Sequence, residues 1–424
     1  MRILILSNLC PPFALGGYEI GCLNVARALD RRGHAIRLLT TASHVPGPPD
    51  PEFIDRRLSL GWFDPYALPG TAWNGAGQLA ALHGICSDYA NTAALIHALR
   101  EFQPDLVYCW NPLGIGGLAL MDMLNIVGVP WVLHLMDMVP VHMQQFCPPH
   151  VRHIFNASGG AIYAGCGVIA MARHILEMVE AEVGIRFDQE VAIIPGWVDT
   201  TGLTRRSAYR QGGHTSFVTA GTVGWHKGSH LIVEAAATLA ARGLPFSIDV
   251  FGEGLVAEHV AMAERLGVSG RVRFHGGRGQ RELLESYSGY DAFLFPTRPQ
   301  EAFGFAPIEA AASGCVPIMT AHCGAAERLV DQVHCLKIEQ SAEALASAMA
   351  QVIEGSVDLP RIGAAGAALV ASDLSEARCL DMIEAALGAA LRPWSRARLD
   401  DPALLQLAYT KHHLARAITL GIDA

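Results

Sequence analysis

The chain of 424 residues has 40 acidic and 31 basic side chains, and its net charge of −9 argues against a nucleic-acid-binding protein and against a general attraction to anionic membranes. Hydrophobic residues make up 51% of the sequence and charged residues only 17%, which excludes a disordered chain and predicts two or three domains with large cores. No apolar run reaches the roughly 18 residues that span a bilayer, and the ten scattered cysteines without a CxxC pair are typical of reduced thiols in a cytoplasm.

The first half of the chain alternates short apolar strands with amphipathic helices. Residues 2–7 form an apolar run typical of a buried strand, and residues 18–32 place apolar side chains on one helical face before Gly33. The segment 42–75 is rich in proline and is expected to be irregular. Further strands are predicted at 35–40, 105–109, 131–135, 167–170 and 191–194. This rhythm predicts a parallel, doubly wound sheet.

The second half repeats the same alternation. Strands are predicted at 216–220, 247–251, 272–275, 292–295 and 316–319. The helices between them are predicted at 229–241, 255–267, 280–289, 304–313 and 324–330. The segment 199–215 is polar and rich in glycine, as domain boundaries are. After about residue 340 the pattern is helical, and the amphipathic helix at 402–420 is expected to pack back across the first domain. The predicted domains are therefore 1–200, 214–390 and a helical tail at 391–424.

Two glutamates, Glu301 and Glu309, stand eight positions apart in a segment that reads as a loop followed by a helix. Carboxylates at such a turn can face one crevice, together with the backbone N–H groups of Phe303, Gly304 and Phe305 at the helix N-terminus. Carboxylates accept hydrogen bonds from sugar and ribose hydroxyls, and a helix N-terminus binds a diphosphate. The alternative is a pair of solvated glutamates, but the helix is too apolar to be exposed. The segment therefore predicts a sugar-nucleotide site.

One lysine lies in a glycine-flanked turn before a predicted helix. The chain has only three lysines, so the choice of Lys227 at this position is unusual, and a helix start mildly disfavours a cation. An ammonium suits a diphosphate, although the turn fits neither a P-loop nor a dinucleotide fingerprint. The earlier loop that contains Gly16 and Gly17 also precedes a helix, and adjacent glycines allow a ligand to approach the backbone closely.

The predicted strand at 131–135 carries polar residues near its carboxyl end. His134 and Asp137 could take part in proton transfer, but a satisfied core histidine is an equal alternative for His134. The loop that follows contains His142 and Cys147 among other possible metal ligands, but their spacing matches no standard zinc pattern. We therefore expect no metal and no required cofactor.

These motifs resemble a retaining glycosyltransferase of family four. The resemblance covers most of residues 1–340 and implies the GT-B architecture, an α/β fold with two facing Rossmann-like domains and C-terminal helices packing back on the N-domain. In that family the first of the two glutamates faces the donor sugar and the second holds the ribose, which implies these roles for Glu301 and Glu309. The remaining donor-binding positions that the resemblance implies are Gly16, Gly17, Thr222, His226, Lys227, His275, Phe303, Gly304 and Phe305.

Three positions depart from the family pattern. The usual diphosphate arginine is Thr222 here, for which His226 or the Gly224 N–H would compensate. The His-Asp pair at the end of the N-domain strand reads Met136-Asp137, so that His134 stands two residues earlier. The glycine pair near the donor sugar is Gly324-Ala325.

The resemblance implies transfer of a sugar, with retention of configuration, from a nucleoside-diphosphate sugar to a hydroxyl acceptor such as a glycan, a lipid-linked sugar or a small metabolite. The implied catalytic residues are Glu301, Lys227, His134 and Asp137, and the implied acceptor-binding residues are Tyr18, Trp110, Met136 and Met138. Uridine diphosphate is the favoured donor base and guanosine diphosphate the second.

Three other functions remain open at this point. They are a phosphorylase or epimerase on the same scaffold, and a sugar-nucleotide-binding protein that has lost transfer. We expect a cytoplasmic protein, with the inner face of the membrane as the alternative location.

Overall fold

The computed structural model describes residues 1–14, 17–61, 82–187, 191–206, 208–209 and 213–420. The chain divides into two compact units. The first unit contains Met1–Met171, Ile175–Ile194 and Leu380–Ala424, and the second contains Ala172–His174 and Pro195–Cys379.

The first unit is built on a seven-stranded parallel sheet with the order β3-β2-β1-β4-β5-β6-β7. Its strands are β1 (Arg2–Ser7), β2 (Ala35–Thr41), β3 (Ile54–Leu58), β4 (Leu106–Asn111), β5 (Trp131–Leu135), β6 (Gly167–Ala170) and β7 (Val191–Ile193). Ile5 of β1 pairs with Leu38 of β2 on one side and with Tyr108 of β4 on the other. The side chains of β1 are buried on both faces, which explains its uninterrupted apolar run. The strand order reverses between β1 and β4, where open α/β sheets commonly bind ligands.

Helices connect these strands, as the alternation of the sequence predicted. They are α1 (Gly17–Arg31), a π-helical turn (Leu82–Cys86), α2 (Tyr89–Phe102), α3 (Gly117–Val127), α4 (Val139–Phe146), α5 (Pro149–Ile154) and α6 (Arg173–Val183). Asp88 caps α2, because its carboxylate accepts a hydrogen bond from the Asn91 N–H at 2.9 Å. The prediction of an irregular segment at 42–75 was wrong at β3. That strand reads Ile-Asp-Arg-Arg-Leu and has too few apolar residues to be recognised, because it is the edge strand of the sheet.

The C-terminal helices are α13 (Glu376–Ala389) and α14 (Pro402–Leu420). Helix α14 belongs to the first unit, as expected, whereas α13, which was expected in the second domain, lies in the first unit from Leu380 onwards. Lys411 of α14 forms an ion pair of 2.7 Å with Asp122 of α3, and both side chains are largely buried. The connecting segment is also attached, since the Trp394 indole N–H donates to the Pro104 carbonyl at 3.2 Å. Breaking a buried ion pair by removing one partner typically costs about 3–5 kcal/mol, so these contacts fix the C-terminus on this unit.

The second unit contains a six-stranded parallel sheet with the order β10-β9-β8-β11-β12-β13. Its strands are β8 (Thr215–Ala220), β9 (Phe246–Phe251), β10 (Val272–Phe274), β11 (Ala292–Phe295), β12 (Val316–Thr320) and β13 (Leu336–Ile338). Its main helices are α7 (Ser229–Ala241), α8 (Val256–Arg265), α9 (Gln280–Ser286), α10 (Phe305–Ala312), α11 (Ala342–Ile353) and α12 (Leu359–Asp373). Phe217, Ile248 and Leu294 lie in one buried core between the sheet and its helices.

Two details of the second unit differ from the sequence prediction. The helix expected at 324–330 is only a 3₁₀ turn, Gly324–Glu327, and the short strand β13 was not predicted. Gly324, the first residue of this turn, packs so closely that a Cβ there would lie 2.1 Å from the Ala302 carbonyl oxygen. No helix among the described residues is both long and apolar enough to cross a membrane.

Candidate functional site

Glu301 lies in the loop after β11 and forms an ion pair with Lys227, which lies after β8. The Thr297 hydroxyl donates to the same carboxylate at 3.1 Å, and Thr297 itself is fully buried. The Thr320 hydroxyl in turn donates to the Thr297 carbonyl at 3.1 Å. The carboxylate is therefore held from two sides by groups of fixed position. The side chains of Glu301 and Lys227 are 12% and 30% exposed, so both remain accessible to a ligand.

The turn that carries Lys227 is shaped by two glycines. Gly224 precedes the 3₁₀ turn Trp225–Lys227, and its N–H donates to the Ser229 hydroxyl at 3.0 Å. Gly228 follows the turn with a φ of 72°, and a Cβ there would lie 2.1 Å from the Pro296 carbonyl oxygen. This close approach brings Lys227 beside the loop of Glu301. The glycine flanks noted in the sequence therefore have a steric reason.

Arg298 was missed by the sequence analysis. Its backbone N–H donates to the His226 carbonyl at 3.1 Å, which connects the β11 loop to the turn of Lys227. Burial lowers the pKa of His226, and the positive charges of Lys227 and Arg298 lower that pKa further. The imidazole is therefore uncharged near neutral pH, and Arg298 adds a second cation to this edge of the sheet. Its position next to Thr297, directly after a buried strand, is the sequence signal that could have identified it.

The N-terminus of α10 lies next to this ion pair in the chain. Gly304 has a φ of 88°, and a Cβ there would lie 2.8 Å from the Phe295 ring. Phe303 is fully buried and contacts the half-buried Phe305 ring edge to face, with 5.5 Å between the ring centroids. The Phe303 carbonyl accepts a hydrogen bond from the Ala325 N–H at 2.8 Å. The helix begins at Phe305, one residue after the predicted start.

Glu309 is the fifth residue of α10 and has a different partner from Glu301. The side-chain amide of Gln280, the first residue of α9, donates to the Glu309 carboxylate at 2.8 Å. Burial raises the pKa of the Glu309 carboxyl, and the hydrogen bond from Gln280 opposes that rise. Gln280 had not been singled out from the sequence. The carboxyl is thus oriented by a neutral donor and keeps capacity to accept further hydrogen bonds.

His275 follows β10 and joins a polar cluster around Asp249. The His275 ring lies 2.7 Å from the Asp249 carboxylate and stacks on Phe251 with 4.9 Å between the centroids. Burial raises the pKa of Asp249, but hydrogen bonds from His275, Arg273 and Tyr290 outweigh it and hold that pKa below its usual value. The ring of His275 is thereby fixed at the carboxyl edge of the sheet.

Thr222 is exposed in the loop between β8 and the turn of Lys227. This loop contacts the loop after β9 through backbone groups, since the Val223 N–H donates to the Glu253 carbonyl at 2.8 Å. Gly254 has a φ of 121°, and a Cβ there would lie 3.2 Å from the Thr222 methyl group. The two loops therefore leave little room for a larger side chain between them.

The candidate residues of the first unit lie in more apolar surroundings. Gly17 begins α1 and is exposed, whereas Gly16 lies outside the described residues. The Trp110 indole N–H donates to the Tyr18 carbonyl at 3.0 Å, so the structure brings these two residues together. Met136 and Met138 are 4% and 7% exposed.

His134 is buried in the core of the first unit, with 2% of its surface exposed. Its Nδ1 lies 2.6 Å from the Tyr108 hydroxyl, and its ring contacts Trp110 edge to face at 4.7 Å. Burial lowers the pKa of His134 to about 3, so the ring is uncharged at neutral pH. This is the environment of a core histidine. Asp137 is half-buried, and its carboxylate accepts a hydrogen bond from the Met138 N–H at 2.7 Å.

The loop considered for a metal site forms helices instead. His142 lies in α4 and is buried against Phe146, with 6.1 Å between the rings, while His150 and His153 are exposed in α5. Within the ranges that the structure describes, no three His, Cys, Asp or Glu side chains are placed to hold a metal ion.

Comparison with known proteins gives matches over both halves of the chain. Residues 15–201 match the family described as "Glycosyltransferase Family 4", and residues 204–368 match "Glycosyl transferases group 1". A D-inositol 3-phosphate glycosyltransferase from Corynebacterium urealyticum is 34% identical over 112 residues. That match covers 24% of this chain and 26% of the relative, so the chain spans about a quarter of the length of this curated relative.

Solved structures share the fold at low sequence identity. A sucrose-phosphate synthase from Thermosynechococcus elongatus has a TM-score of 0.69 at 17% identity, covering 92% of this chain and 99% of its own. HepE from Anabaena, in complex with UDP and glucose, has a TM-score of 0.66 at 18% identity, covering 92% of this chain and 100% of its own. These neighbours have the GT-B architecture that the resemblance implied. With two family models that together match most of its length, the chain belongs to the group 1 and family 4 glycosyltransferases.

Proposed function

We propose that this protein transfers a sugar, with retention of anomeric configuration, from a nucleoside-diphosphate sugar to a hydroxyl acceptor. The observation that carries the proposal is the ion pair between Lys227 and Glu301 at the carboxyl edge of the six-stranded sheet. It joins a cation suited to a diphosphate and a carboxylate suited to sugar hydroxyls, directly before the N-terminus of α10. Family membership supports glycosyl transfer in general.

Lys227 binds the donor diphosphate in this proposal, and Glu301 orients the donor sugar through its hydroxyls. Without a ligand, the ammonium is neutralised by Glu301. Diphosphate binding therefore shifts the ammonium from the carboxylate to the phosphate oxygens, and the freed carboxylate oxygen accepts from a sugar hydroxyl. As the anomeric C–O bond breaks, negative charge grows on the diphosphate. Lys227, the nearby Arg298 and the N–H groups at the start of α10 stabilise that charge.

Glu309 accepts hydrogen bonds from the ribose hydroxyls, and Gln280 holds its carboxyl in place. His275 and the Phe251 ring beneath it form the surface for the nucleotide base. Uridine diphosphate is the favoured donor nucleotide and guanosine diphosphate the second. The presence of UDP in the structurally similar HepE supports this order.

The acceptor binds to the first unit, at Tyr18, Trp110, Met136 and Met138. Because the pKa of His134 is low, its ring stays uncharged at neutral pH and is unsuited to act as the base for the acceptor hydroxyl. The leaving diphosphate takes the proton of the acceptor hydroxyl instead. The acceptor oxygen bonds to the anomeric carbon on the face from which the diphosphate departs, which gives retention. Asp137 and Gly17 remain candidates for positioning the acceptor and the diphosphate.

Calorimetric titration with UDP and GDP, followed by incubation of the preferred sugar nucleotide with a panel of glycan and lipid acceptors, tests the proposal. The expected result is metal-independent binding of one nucleotide and a product with the same anomeric configuration as the donor. A product of inverted configuration, or no binding of any nucleoside diphosphate, would contradict the proposal.

Thr222 supports a second candidate function. It occupies the position of the arginine that the family uses for the diphosphate and offers no charge there. A sugar-nucleotide-binding protein without transferase activity would fit this position. Nucleotide binding without transfer to any acceptor, and without slow hydrolysis of the donor, would favour this second function.

A further inference from the structure

A second concave site lies in the same unit, on the side of the Lys227 turn that carries Trp225. It is a cavity of about 350 Å³ between that turn and helix α8. Its walls are Trp225, Glu258, His259, Ala261, Met262 and Arg265. Apart from Trp225, these residues come from one face of α8, and none of them belongs to the donor site described above. The volume is at the lower end of the roughly 300–1,000 Å³ typical of ligand pockets, which suits a single small ring.

Trp225 provides an aromatic wall that the protein leaves uncovered. The residue is 55% exposed, although it is the largest apolar side chain of the turn. Its ring contacts two histidines, with 4.5 Å between the centroids of Trp225 and His230 and 5.6 Å between those of Trp225 and His259. A tryptophan fixed in this way offers an open face on which a ligand ring can stack.

His259 provides a buried hydrogen-bond acceptor. Only 1% of the residue is exposed, and its Nδ1 lies 2.7 Å from the Leu255 carbonyl oxygen. Because a carbonyl only accepts, Nδ1 carries the hydrogen, and Nε2 of the neutral ring is then an acceptor. Nε2 is buried and has no hydrogen-bond partner among the residues that the structure describes. Leaving such a group unsatisfied is unfavourable, and a ligand that donates a hydrogen bond would recover that cost.

The charges at the rim restrict the class of ligand. Glu258 and Arg265 stand seven positions apart on α8, so they lie on the same face two turns apart. Both are exposed, and their opposite charges cancel. The rim therefore has no excess positive charge to attract a phosphate or a nucleotide. A carboxylate, a guanidinium and an imidazole acceptor together suit a neutral ligand with several hydroxyls, which both donate and accept hydrogen bonds.

We infer that this cavity is a carbohydrate-binding site, separate from the donor site, that holds one pyranose ring against Trp225. The apolar C–H face of the ring stacks on the indole. Its hydroxyls donate to Nε2 of His259 and to Glu258 and accept from Arg265. Binding of a sugar in this cavity requires no turnover and does not depend on the proposed function.

Ligand-observed saturation-transfer NMR on the full chain tests the inference. The probes are the methyl glycosides of glucose, galactose, mannose and N-acetylglucosamine, each measured in the presence of saturating UDP. At least one glycoside is expected to receive saturation. The Arg265→Ala variant should bind it about tenfold more weakly, because it removes one charged hydrogen-bond donor. Trp225→Ala should remove the signal.

Two control variants separate this site from the rest of the molecule. Glu264→Ala changes an exposed charge of the same helix that does not line the cavity, and it should leave glycoside binding unchanged. Lys227→Ala should also retain glycoside binding, because the ammonium belongs to the donor site.

Two results would overturn the inference. The first is no saturation of any of the four glycosides. The second is a signal that persists unchanged in both Arg265→Ala and Trp225→Ala.

Discussion

The candidate residues of the two units differ in how their polar groups are satisfied. In the second unit, Lys227 and Glu301 are partly exposed and neutralise each other, so an incoming ligand can exchange one partner for another. In the first unit, His134 is buried and uncharged, with its Nδ1 already engaged by Tyr108. A functional group must be both preorganised and available to a ligand. We therefore expect the second unit to supply the ionic contacts to a ligand and the first unit to supply mainly apolar contacts.

The strongest test of this difference between the two units is a variant that lacks Lys227. Lys227→Ala leaves the Glu301 carboxylate unpaired beside the diphosphate site, so the loss of attraction is joined by repulsion. We expect UDP affinity to fall about a hundredfold or more, within the range of about 2–5 kcal/mol for truncating one partner of a charged pair. Calorimetric titration at low salt measures the change.

The double variant Lys227→Ala/Glu301→Gln serves as the control. It removes the unpaired charge as well, so it should regain part of the UDP affinity lost in the single variant while transfer stays absent. Equal UDP affinity in the two variants would show that Glu301 does not face the diphosphate.

The steric origin of the lysine turn can be tested with two glycine substitutions. Gly228 and Gly243 have φ values of 72° and 69°, so alanine is similarly strained at both. Of these two positions, only at Gly228 does a Cβ meet the backbone, 2.1 Å from the Pro296 carbonyl oxygen, whereas at Gly243 no atom of the described residues lies within 4 Å. Gly243→Ala should cost about 1 kcal/mol of unfolding free energy, and Gly228→Ala should cost at least about 2 kcal/mol more. Denaturant unfolding measures both, and equal losses would refute the steric account.

Glu309 provides a further test within the second unit, because its carboxyl is oriented by a neutral donor, whereas Glu301 is paired with a cation. Glu309→Gln should weaken UDP binding about tenfold, the effect of one charged hydrogen bond. If the carboxylate binds ribose, the variant should bind UDP and its 2′,3′-dideoxy analogue equally, whereas the unchanged protein should prefer UDP. Glu354→Gln, which alters an exposed ion pair with Arg242, is the matched control and should leave both affinities unchanged. A preference for UDP that survives in Glu309→Gln would remove Glu309 from the ribose site.

The burial of His134 can be tested through the pH dependence of stability. Its pKa is lowered from 6.5 to about 3 in the folded protein by burial. Below pH 6.5 the unfolded chain therefore binds the proton and the folded protein does not, so the free energy of unfolding falls as the pH falls towards 3. His134→Phe should show a smaller fall between pH 7 and about pH 4.5 in urea unfolding. A slope identical to that of the unchanged protein would mean that the ring is solvated.

Secondary-structure elements were predicted reliably from the sequence wherever burial imposed a strong hydrophobic pattern. The apolar runs of β1, β5 and β11 and the amphipathic helix α14 were predicted at or very near their observed bounds, because strands and helices of a doubly wound sheet have distinct periods. The edge strand β3 was missed, since it is half-exposed and carries charges. The 3₁₀ turn Gly324–Glu327 was predicted as a longer helix, and the close contact of its first residue with the Ala302 carbonyl is a tertiary feature that local periodicity does not show.

For the candidate site too, local residue patterns could be predicted and contacts between distant segments could not. Residue types and spacing identified Glu301, Glu309 and Lys227, because a carboxylate after a strand and a lone lysine in a glycine turn are unusual locally. They did not identify Arg298 or Gln280, whose relevance depends on contacts with His226 and Glu309 from other parts of the chain. Nor could they decide between a catalytic and a core histidine at 134, which depends on the Tyr108 and Trp110 rings.

The alternation of strands and helices, the two α/β units and a set of candidate residues for donor binding could be predicted from the sequence. Local periodicity and backbone restrictions are properties of neighbouring residues, so they can be read along the chain. The pairing of charges and the burial of polar groups, as at Lys227 with Glu301 and at Nε2 of His259, became visible only in the folded chain. Electrostatic and hydrogen-bond energies depend on distance and on desolvation, and both are set by segments that are far apart in sequence.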